Sequence, residues 1–314
     1  MTRSATSVAY FGPAGTFTEQ ALLTQPDYAA ADRQPLPTII DVLEAVRSGR
    51  VVLGFVPLEN GIEGTVPITL DSLVFDFDLL IQREVVLDIH LALMANEGTQ
   101  LADVTSVSSF PHALAQCRKF LAARIPAAQI VAAPSTAEAA RALGESPNES
   151  AAVIAPRSAA EVYGLVVLAE EIEDHLENQT RFVAVASSGI PRATGHDRTS
   201  IVCFQSADHP GSLHSILGQF SARDINLTKL ESRPTKRGLG DYCFVIDLQG
   251  HIADEIVADC LRDLHASLVK VKFLGSYPAA GHHGPGKRRE AEQSWRRADE
   301  WVRSLRAQIG EDGE

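Results

Sequence analysis

The sequence predicts an α/β protein whose later part changes to a smaller β-α-β-β-α-β domain. Three observations predict it. Short apolar runs alternate with capped helical stretches from Ser7 to Ala155. A stretch rich in Gly, Ser and Pro, "ASSGIPRATGHDR" at 186–198, then interrupts the pattern. Beyond it, strands and helices recur in the ferredoxin-like order.

Element by element, Ser7–Phe11 reads as a strand. Thr16–Thr24 reads as a helix, with Thr16 and Glu19 spaced as a capping box. Asp41–Ser48 is a second helix, ended by Gly49, and Val51–Val56 is a buried strand. Asp71–Leu73 falls in a further helix, and Glu84–Met94 alternates as one strand. Val104–Ser108, Ile130–Ala132 and Ala151–Ala155 are strands. Between them come helices at Pro111–Ala123, with proline at its first position, and Thr136–Leu143. This βα alternation predicts largely parallel sheets. Phe182–Val185 is one more buried strand. After the 186–198 stretch, strands are expected at Ser200–Gln205, Leu227–Ser232, Tyr242–Leu248 and Val269–Leu274. Ser212–Ala222 and Ala253–Leu264 are the two helices.

Composition narrows the function. With 314 residues, 45% hydrophobic and 22% charged, the chain has room for two globular domains. A formal net charge of −12 argues against nucleic acid and against anionic membranes as partners. No apolar run approaches the roughly 18 residues of a membrane span. The start, "MTRSATSVAYFGPAG", has no signal-peptide apolar stretch. Cys117, Cys203, Cys243 and Cys260 are far apart with no C-x-x-C, so buried reduced thiols in a cytoplasmic protein are expected. No H-E-x-x-H or clustered Cys/His pattern points to a metal.

The tail from Ala279 carries adjacent His282 and His283, which read as part of a solvated linker because no third ligand lies near. Ala291, Trp295, Ala298, Val302, Leu305 and Ile309 then form one apolar helical stripe, opposite Arg288, Arg296, Arg303 and Arg306. The reading is a helix docked on the body or on another subunit. Glu290, Glu292, Asp299 and Glu300 weigh against a membrane-surface helix.

Three stretches could carry chemistry. "GPAGTFTEQA", Gly12–Ala21, is either a tight capped turn or a loop that offers free N–H groups to an anion; it is no nucleotide motif. "FVPLENGIEGTV", Phe55–Val66, is either a turn or a set of polar groups at the crevice beyond a strand's C-terminal end. "NQTRFVAV" puts Asn178, Gln179, Thr180 and Arg181 directly before a buried strand. Such groups are costly to bury unpaired, and a chain crossing between two lobes would turn them toward a ligand. Arg181 suits a carboxylate, and Thr180 a hydroxyl.

Together these stretches resemble the prephenate dehydratase family. Gly12-Pro13-x-Gly15-Thr16-Phe17, Pro57-x-Glu59-Asn60, Ser135-Thr136-Ala137 and Asn178-x-Thr180-Arg181-Phe182 stand at family motif positions. His209-Pro210-Gly211-Ser212-Leu213 and Glu231-Ser232-Arg233-Pro234 resemble the two phenylalanine-site motifs of the family's ACT domain. The resemblance covers about residues 7–278. It departs at Gly61, where the family usually has serine, and at Ser109-Phe110-Pro111-His112, where it often reads Ser-His-Pro-Gln. His112 alone reads as a residue of a helix N-terminus.

The resemblance implies a two-lobed, periplasmic-binding-protein-like catalytic domain with a cleft at 1–190. Lobe one is about 1–83 plus 177–190, and lobe two about 84–176. A linker at 191–198, a ferredoxin-like βαββαβ ACT domain at 199–278 and a tail at 279–314 follow. The implied reaction converts prephenate to phenylpyruvate, water and carbon dioxide, without cofactor or metal. Thr180 would be the donor to the leaving hydroxyl, with Glu59 a candidate acid behind it. Arg181 and the N–H groups around Thr16 would anchor carboxylates. Asn60, Asn178 and Gln179 would orient the substrate, with Phe17, Ser135 and Thr136 at the site and Phe182 packed under it. L-phenylalanine would inhibit through the ACT domain of a homodimer or homotetramer. The same lyase acting on arogenate, and a non-catalytic amino-acid sensor, are the competing readings.

Overall fold

A computed structural model describes residues 7–205, 210–236, 238, 241–268, 270–281 and 297–308. The chain forms two compact units. One is Met1–Asp78 with Val85–Ser187; the other is Leu79–Glu84 with Ser188–Glu314.

The first unit begins β1 (Ser7–Phe11), α1 (Phe17–Leu23), α2 (Pro26–Ala29), β2 (Asp32–Leu36) and α3 (Ile39–Arg47). It continues β3 (Leu53–Asn60), β4 (Gly64–Thr65), α4 (Pro67–Asp71) with a π turn at Ser72–Asp76, and β5 (Leu80–Asp88). Next come β6 (Ala92–Ala95), β7 (Ser106–Ser109), α5 (Pro111–Gln116), α6 (Arg118–Arg124), β8 (Gln129–Ala132) and α7 (Thr136–Glu145). It closes with β9 (Ala151–Ala155), α8 (Arg157–Tyr163), β10 (Val166–Ala169) and β11 (Gln179–Ala186).

These strands make two sheets, β2-β1-β3-β11-β5 with β4 beside β3, and β10-β6-β9-β7-β8. The expectation of largely parallel sheets is corrected. β1 runs parallel to β2 and β3, and β7 to β8 and β9. β11 is antiparallel to β3, and β6 to both β9 and β10. The antiparallel strands adjoin the two crossings between sheets, where the chain re-enters a sheet from the other side. The single strand expected at Glu84–Met94 is likewise two strands in different sheets, β5 and β6. Its alternation runs on through Ile89–Leu91, where the chain crosses. The helix expected at Pro111–Ala123 breaks at Cys117, which leaves the helical region at φ −109°, ψ 16°.

Each sheet has its own core. Val8, Tyr10, Leu22, Phe55, Phe182 and Ala184 pack the first. Leu93, Val107, Leu114, Cys117, Ile154 and Ile172 pack one side of the second. Each Val, Leu, Ile or Phe among them contributes about 1.5–3 kcal/mol when removed from water. Phe17 packs against both clusters and so joins the two lobes.

The second unit runs β12 (Asp197–Phe204), α9 (Ser212–Ser221), β13 (Leu227–Pro234), β14 (Tyr242–Gln249), α10 (Glu255–Ser267) and β15 (Lys270–Pro278). Its antiparallel sheet is ordered β13-β14-β12-β15, the ferredoxin-like arrangement expected. Ile201, Cys203, Ile246, Leu248, Ile216, Phe220 and Leu264 form the core between sheet and helices.

In the tail a helix spans 297–306. Of the expected stripe, Ala298 and Leu305 are exposed and Val302 is half-buried, so among the described residues this face is not buried on the body, which leaves the other expected seat, another subunit. The rest of the stripe (Ala291, Trp295, Ile309), the His282–His283 pair, and Arg288, Glu290, Glu292 and Arg296 lie outside the described residues. Among the described residues no helix is long and apolar enough to cross a membrane, and no group of three or more His, Cys, Asp or Glu could hold a metal.

Candidate active site

The Asn178–Phe182 stretch enters the first sheet at the start of β11, beside β3. From Val185 to Phe182 the two strands pair without interruption, Phe182 standing opposite Pro57. Then Arg181 stands opposite Glu59 and Thr180 opposite Asn60, so Leu58 is an extra residue on β3. Proline at a bulge is expected, because it cannot donate to a regular ladder. The carbonyls at the bulge are satisfied from outside the pair: Thr69 Oγ1 donates to Pro57 O at 2.7 Å, and Val66 N to Leu58 O at 2.9 Å.

The bulge decides which residues meet. Without it, the period of two would set Thr180 opposite Glu59. With it, Thr180 has Asn60 as its partner, and the Glu59–Arg181 pair leaves on the alternate side.

Asn60 is held at both ends of its amide. Its Oδ1 accepts the N–H groups of Ile62 at 2.9 Å and Glu63 at 3.0 Å, closing the turn into β4. Its Nδ2 donates to Thr180 Oγ1 and to Asn178 Oδ1, both at 2.8 Å, and to Gln179 O at 3.2 Å. Flipping the amide would set a donor against two backbone donors, so the orientation is forced. Asn178, 1% exposed, passes its own Nδ2 to Gln116 Oε1 on α5 at 3.2 Å. Its carbonyl accepts Ile89 N at 2.8 Å.

The other expected site residues are placed as follows. Arg181 is buried, its Nη1 3.5 Å from Glu59 Oε2, and Glu59 is about one-third exposed. Gln179 is exposed and donates to Asp88 Oδ1 at 2.7 Å. Phe182 is buried and stacks on Phe55, ring centroids 5.8 Å apart. Thr16 caps α1 by accepting Glu19 N at 3.2 Å. The capping box does not close on Thr16: the Glu19 carboxylate takes Gly15 N at 2.7 Å and Tyr10 Oη at 2.8 Å. Burial, then that hydrogen bond, pushes the Tyr10 phenol up from its usual range. An internal carboxylate thus holds an N–H of the loop that the sequence offered to an anion. Gly15, at φ +78°, lets the loop approach Ala159 and Tyr163 of α8, and Tyr163 Oη donates to Ala14 O at 2.6 Å. Ser135 caps α7 through Glu138 N at 3.0 Å, with Thr136 following, both in the second lobe.

Three side chains, His112, Gln116 and Glu173, brace the site although no motif marks them in the sequence. His112 Nδ1 lies 2.9 Å from Glu63 Oε2, tying α5 to the turn that holds Asn60. Gln116 stands four residues on from His112, on the same helix face; that spacing was the available signal. Glu173 receives Leu91 N at 2.9 Å and pairs with His90 Nδ1 at 2.8 Å, clamping the two crossings together.

In the second unit Gly211 precedes α9 at φ +91°, after Pro210, and Ser212 and Leu213 open the helix. His209 lies outside the described residues. Glu231, Ser232, Arg233 and Pro234 end the edge strand β13. Glu231 pairs with Lys229 at 3.3 Å and Arg233 at 3.6 Å.

Comparison with known proteins finds two family models along the chain. The family model for prephenate dehydratase matches residues 8–189, and that for the ACT domain residues 199–266. A prephenate dehydratase of Mycolicibacterium vanbaalenii is 43% identical over 286 residues, covering 86% of this chain and 90% of the relative. The solved prephenate dehydratase of Arthrobacter aurescens, in complex with L-Phe, superimposes with a TM-score of 0.87 at 39% identity, covering 95% of this chain and 99% of that one. The Staphylococcus aureus prephenate dehydratase superimposes with a TM-score of 0.74 at 30% identity, covering 86% and 99%.

Proposed function

The chain belongs to the prephenate dehydratase family, and we propose that Thr180, oriented by Asn60, is its donor to the leaving hydroxyl. The enzyme is a carbon–oxygen lyase of phenylalanine biosynthesis with an ACT domain behind the catalytic one. In the reaction the bond from the ring to its carboxylate breaks, and the carboxylate leaves as carbon dioxide. The electron pair enters the ring, and the bond to the 4-hydroxyl breaks. The hydroxide takes one proton and leaves as water. Aromatisation drives the step, so the protein must mainly position the substrate and stabilise the departing oxygen.

One observation carries the assignment. Asn60 Nδ2 points at Thr180 Oγ1, and the turn at Ile62 and Glu63 prevents the reverse. A hydroxyl whose lone pair is taken by a donor keeps its proton for another acceptor. Threonine is too weak an acid to surrender that proton outright. Its hydrogen bond strengthens as hydroxide character develops, which is the differential binding catalysis requires. The proton itself comes from solvent in the cleft, because Glu59 faces Arg181 as its carboxylate partner on the other side of the strand.

Arg181 is assigned to the substrate's side-chain carboxylate. Its guanidinium, 3.5 Å from Glu59, has the planar fork that matches a carboxylate bidentately. The exposed Gln179 orients the substrate beside it, while the buried Asn178, its amide taken by Asn60 and Gln116, acts through Asn60. L-phenylalanine inhibits through the motifs at Pro210–Leu213 and Glu231–Pro234; the L-Phe complex of the Arthrobacter relative supports this. Ligand sites at paired ACT domains call for a homodimer or homotetramer, and four buried free cysteines fit a cytoplasmic setting.

The test is phenylpyruvate formation from prephenate, followed in the ultraviolet with and without L-phenylalanine. Product from the parent and its loss in Thr180→Ala is the expected result. Equal turnover by that variant would remove Thr180 from the chemistry.

A further inference from the structure

β5 belongs to both units. Its first half, through Glu84, is part of the second unit, and Val85–Asp88 is part of the first. Each half is fixed by contacts of a different kind.

In the second unit the buried Glu84 accepts Ala280 N at 2.7 Å and pairs with Arg198 of β12 at 3.1 Å. The same Arg198 Nη1 lies 3.9 Å from the buried Asp247 of β14, so two carboxylates share one guanidinium. Ser200 Oγ donates to Asp247 Oδ1 at 2.5 Å. Lys229 of β13 stands opposite Asp247 in register, and its ammonium pairs with Glu231 at 3.3 Å. Glu231 belongs to the motif assigned to the effector. A line of alternating charges therefore runs from Glu231 through Lys229, Asp247 and Arg198 to Glu84. Backbone packing completes the seat: the position of a Cβ on Gly275 lies 2.5 Å from Ile81 O.

In the first unit the strand's other end holds the start of β11. Asp88 accepts the Gln179 amide at 2.7 Å, and Ile89 N donates to Asn178 O at 2.8 Å. Asn178 Oδ1 shares Asn60 Nδ2 with Thr180 Oγ1, at 2.8 Å each. That nitrogen carries two hydrogens in one plane, one for each acceptor, so a movement of Asn178 that turns the amide also turns the hydrogen aimed at Thr180.

We propose that β5 carries effector occupancy from Glu231 to the Asn60–Thr180 hydrogen bond, a role that rests on the effector reading above. An amino acid's ammonium group pairs with Glu231 and releases Lys229 toward Asp247. Asp247 then needs Arg198 less, and Arg198 closes on Glu84. The shift passes along the strand to Asp88 and Ile89, and Thr180 loses its orientation. Both ligands bias one element with two arrangements, which is what coupling between sites requires.

Glu84→Gln tests it, because the amide keeps the shape and removes the charge that Arg198 answers. L-phenylalanine binding is read by calorimetry, and turnover with and without saturating L-phenylalanine. The expected result is retained binding, retained uninhibited turnover, and residual activity under L-phenylalanine raised about tenfold, within the usual range of allosteric coupling. Parent-like inhibition in that variant overturns the relay while leaving the effector reading intact. Absence of L-phenylalanine binding to the parent overturns that reading and the relay with it. Hydrogen exchange on the parent serves if the variant does not fold. Changed protection at 80–91 and 178–181 on adding L-phenylalanine supports the relay, and inhibition with no change there overturns it.

Discussion

Asn60 Nδ2 donates to Thr180 Oγ1 at 2.8 Å, while the other end of the same amide accepts two backbone N–H groups. The turn after β3 therefore sets the polarity of a hydroxyl on β11. Thr180→Ala should fold normally and lose about 10²–10³ in kcat, the scale of one preorganised donor. Thr180→Ser should keep part of the activity, since the hydroxyl remains and only the β-branch is lost. Steady-state turnover of prephenate beside far-ultraviolet circular dichroism separates the two effects.

Asn60→Asp is the sharper change. A carboxylate can still accept Ile62 N and Glu63 N, so the turn is kept. It has no N–H to give, so Thr180 must donate to it, and the proton needed at the leaving group is directed away. The variant should match Thr180→Ala in kcat, and the double variant should be no worse than either alone. Additive losses would mean that Asn60 and Thr180 act separately.

The parts of this site written in local sequence were legible. Thr16 sits at the N-cap where its spacing to Glu19 put it, and Phe182 is buried in the strand that follows the polar stretch. The pairing of Thr180 with Asn60 was not legible, because it depends on the extra residue Leu58 in a ladder between segments 120 residues apart. No local pattern states a cross-strand register. The same limit hid the split of Glu84–Met94. Alternation persists through Ile89–Leu91, and only long-range packing tells that the strand changes sheets. Glu19 shows the converse: its spacing foretold a capping box, but the buried Tyr10 hydroxyl and Gly15 N–H took its carboxylate instead.

His90 and Glu173 give a pH dependence with a definite sign. The hydrogen bond that His90 Nδ1–H donates to the Glu173 carboxylate holds the imidazolium above its ordinary value of 6.5. A group whose folded pKa is raised contributes stability fully below the unfolded pKa and loses it as pH rises through the folded one. His90→Gln should thus lower Tm relative to the parent at about pH 5.5, and the difference should shrink as pH rises above about 7. A difference that grows with pH would contradict the pairing.

All four cysteines are free and buried. Burial pushes the Cys203 and Cys260 thiols up to about 12 and the Cys117 thiol higher than its normal range. Thiolate is the reactive form, so native enzyme at about pH 8 should resist iodoacetamide. Mass spectrometry should find alkylation at these positions only after unfolding in guanidinium chloride. Rapid labelling of any of them in the native state would show a local opening that the packing does not provide.

Gly275 offers an independent hold on the strand shared by the two units. It sits at φ +141°, and a Cβ there would fall 2.5 Å from Ile81 O and 3.0 Å from Ile81 N. Backbone cannot yield as the end of a flexible side chain can, so Gly275→Ala must either push β5 off the sheet or strain β15. The expected cost is about 1–3 kcal/mol from overpacking, with the positive φ adding to it. Gly195→Ala is the control: at φ +87° it is strained too, but nothing lies within 4 Å of its Cβ. Both variants should unfold at lower temperature. Only Gly275→Ala, assayed well below its Tm, should also weaken inhibition by L-phenylalanine while leaving uninhibited turnover close to the parent's. Equal inhibition in the two variants would mean that the seat of β5 stabilises the second unit without informing Thr180.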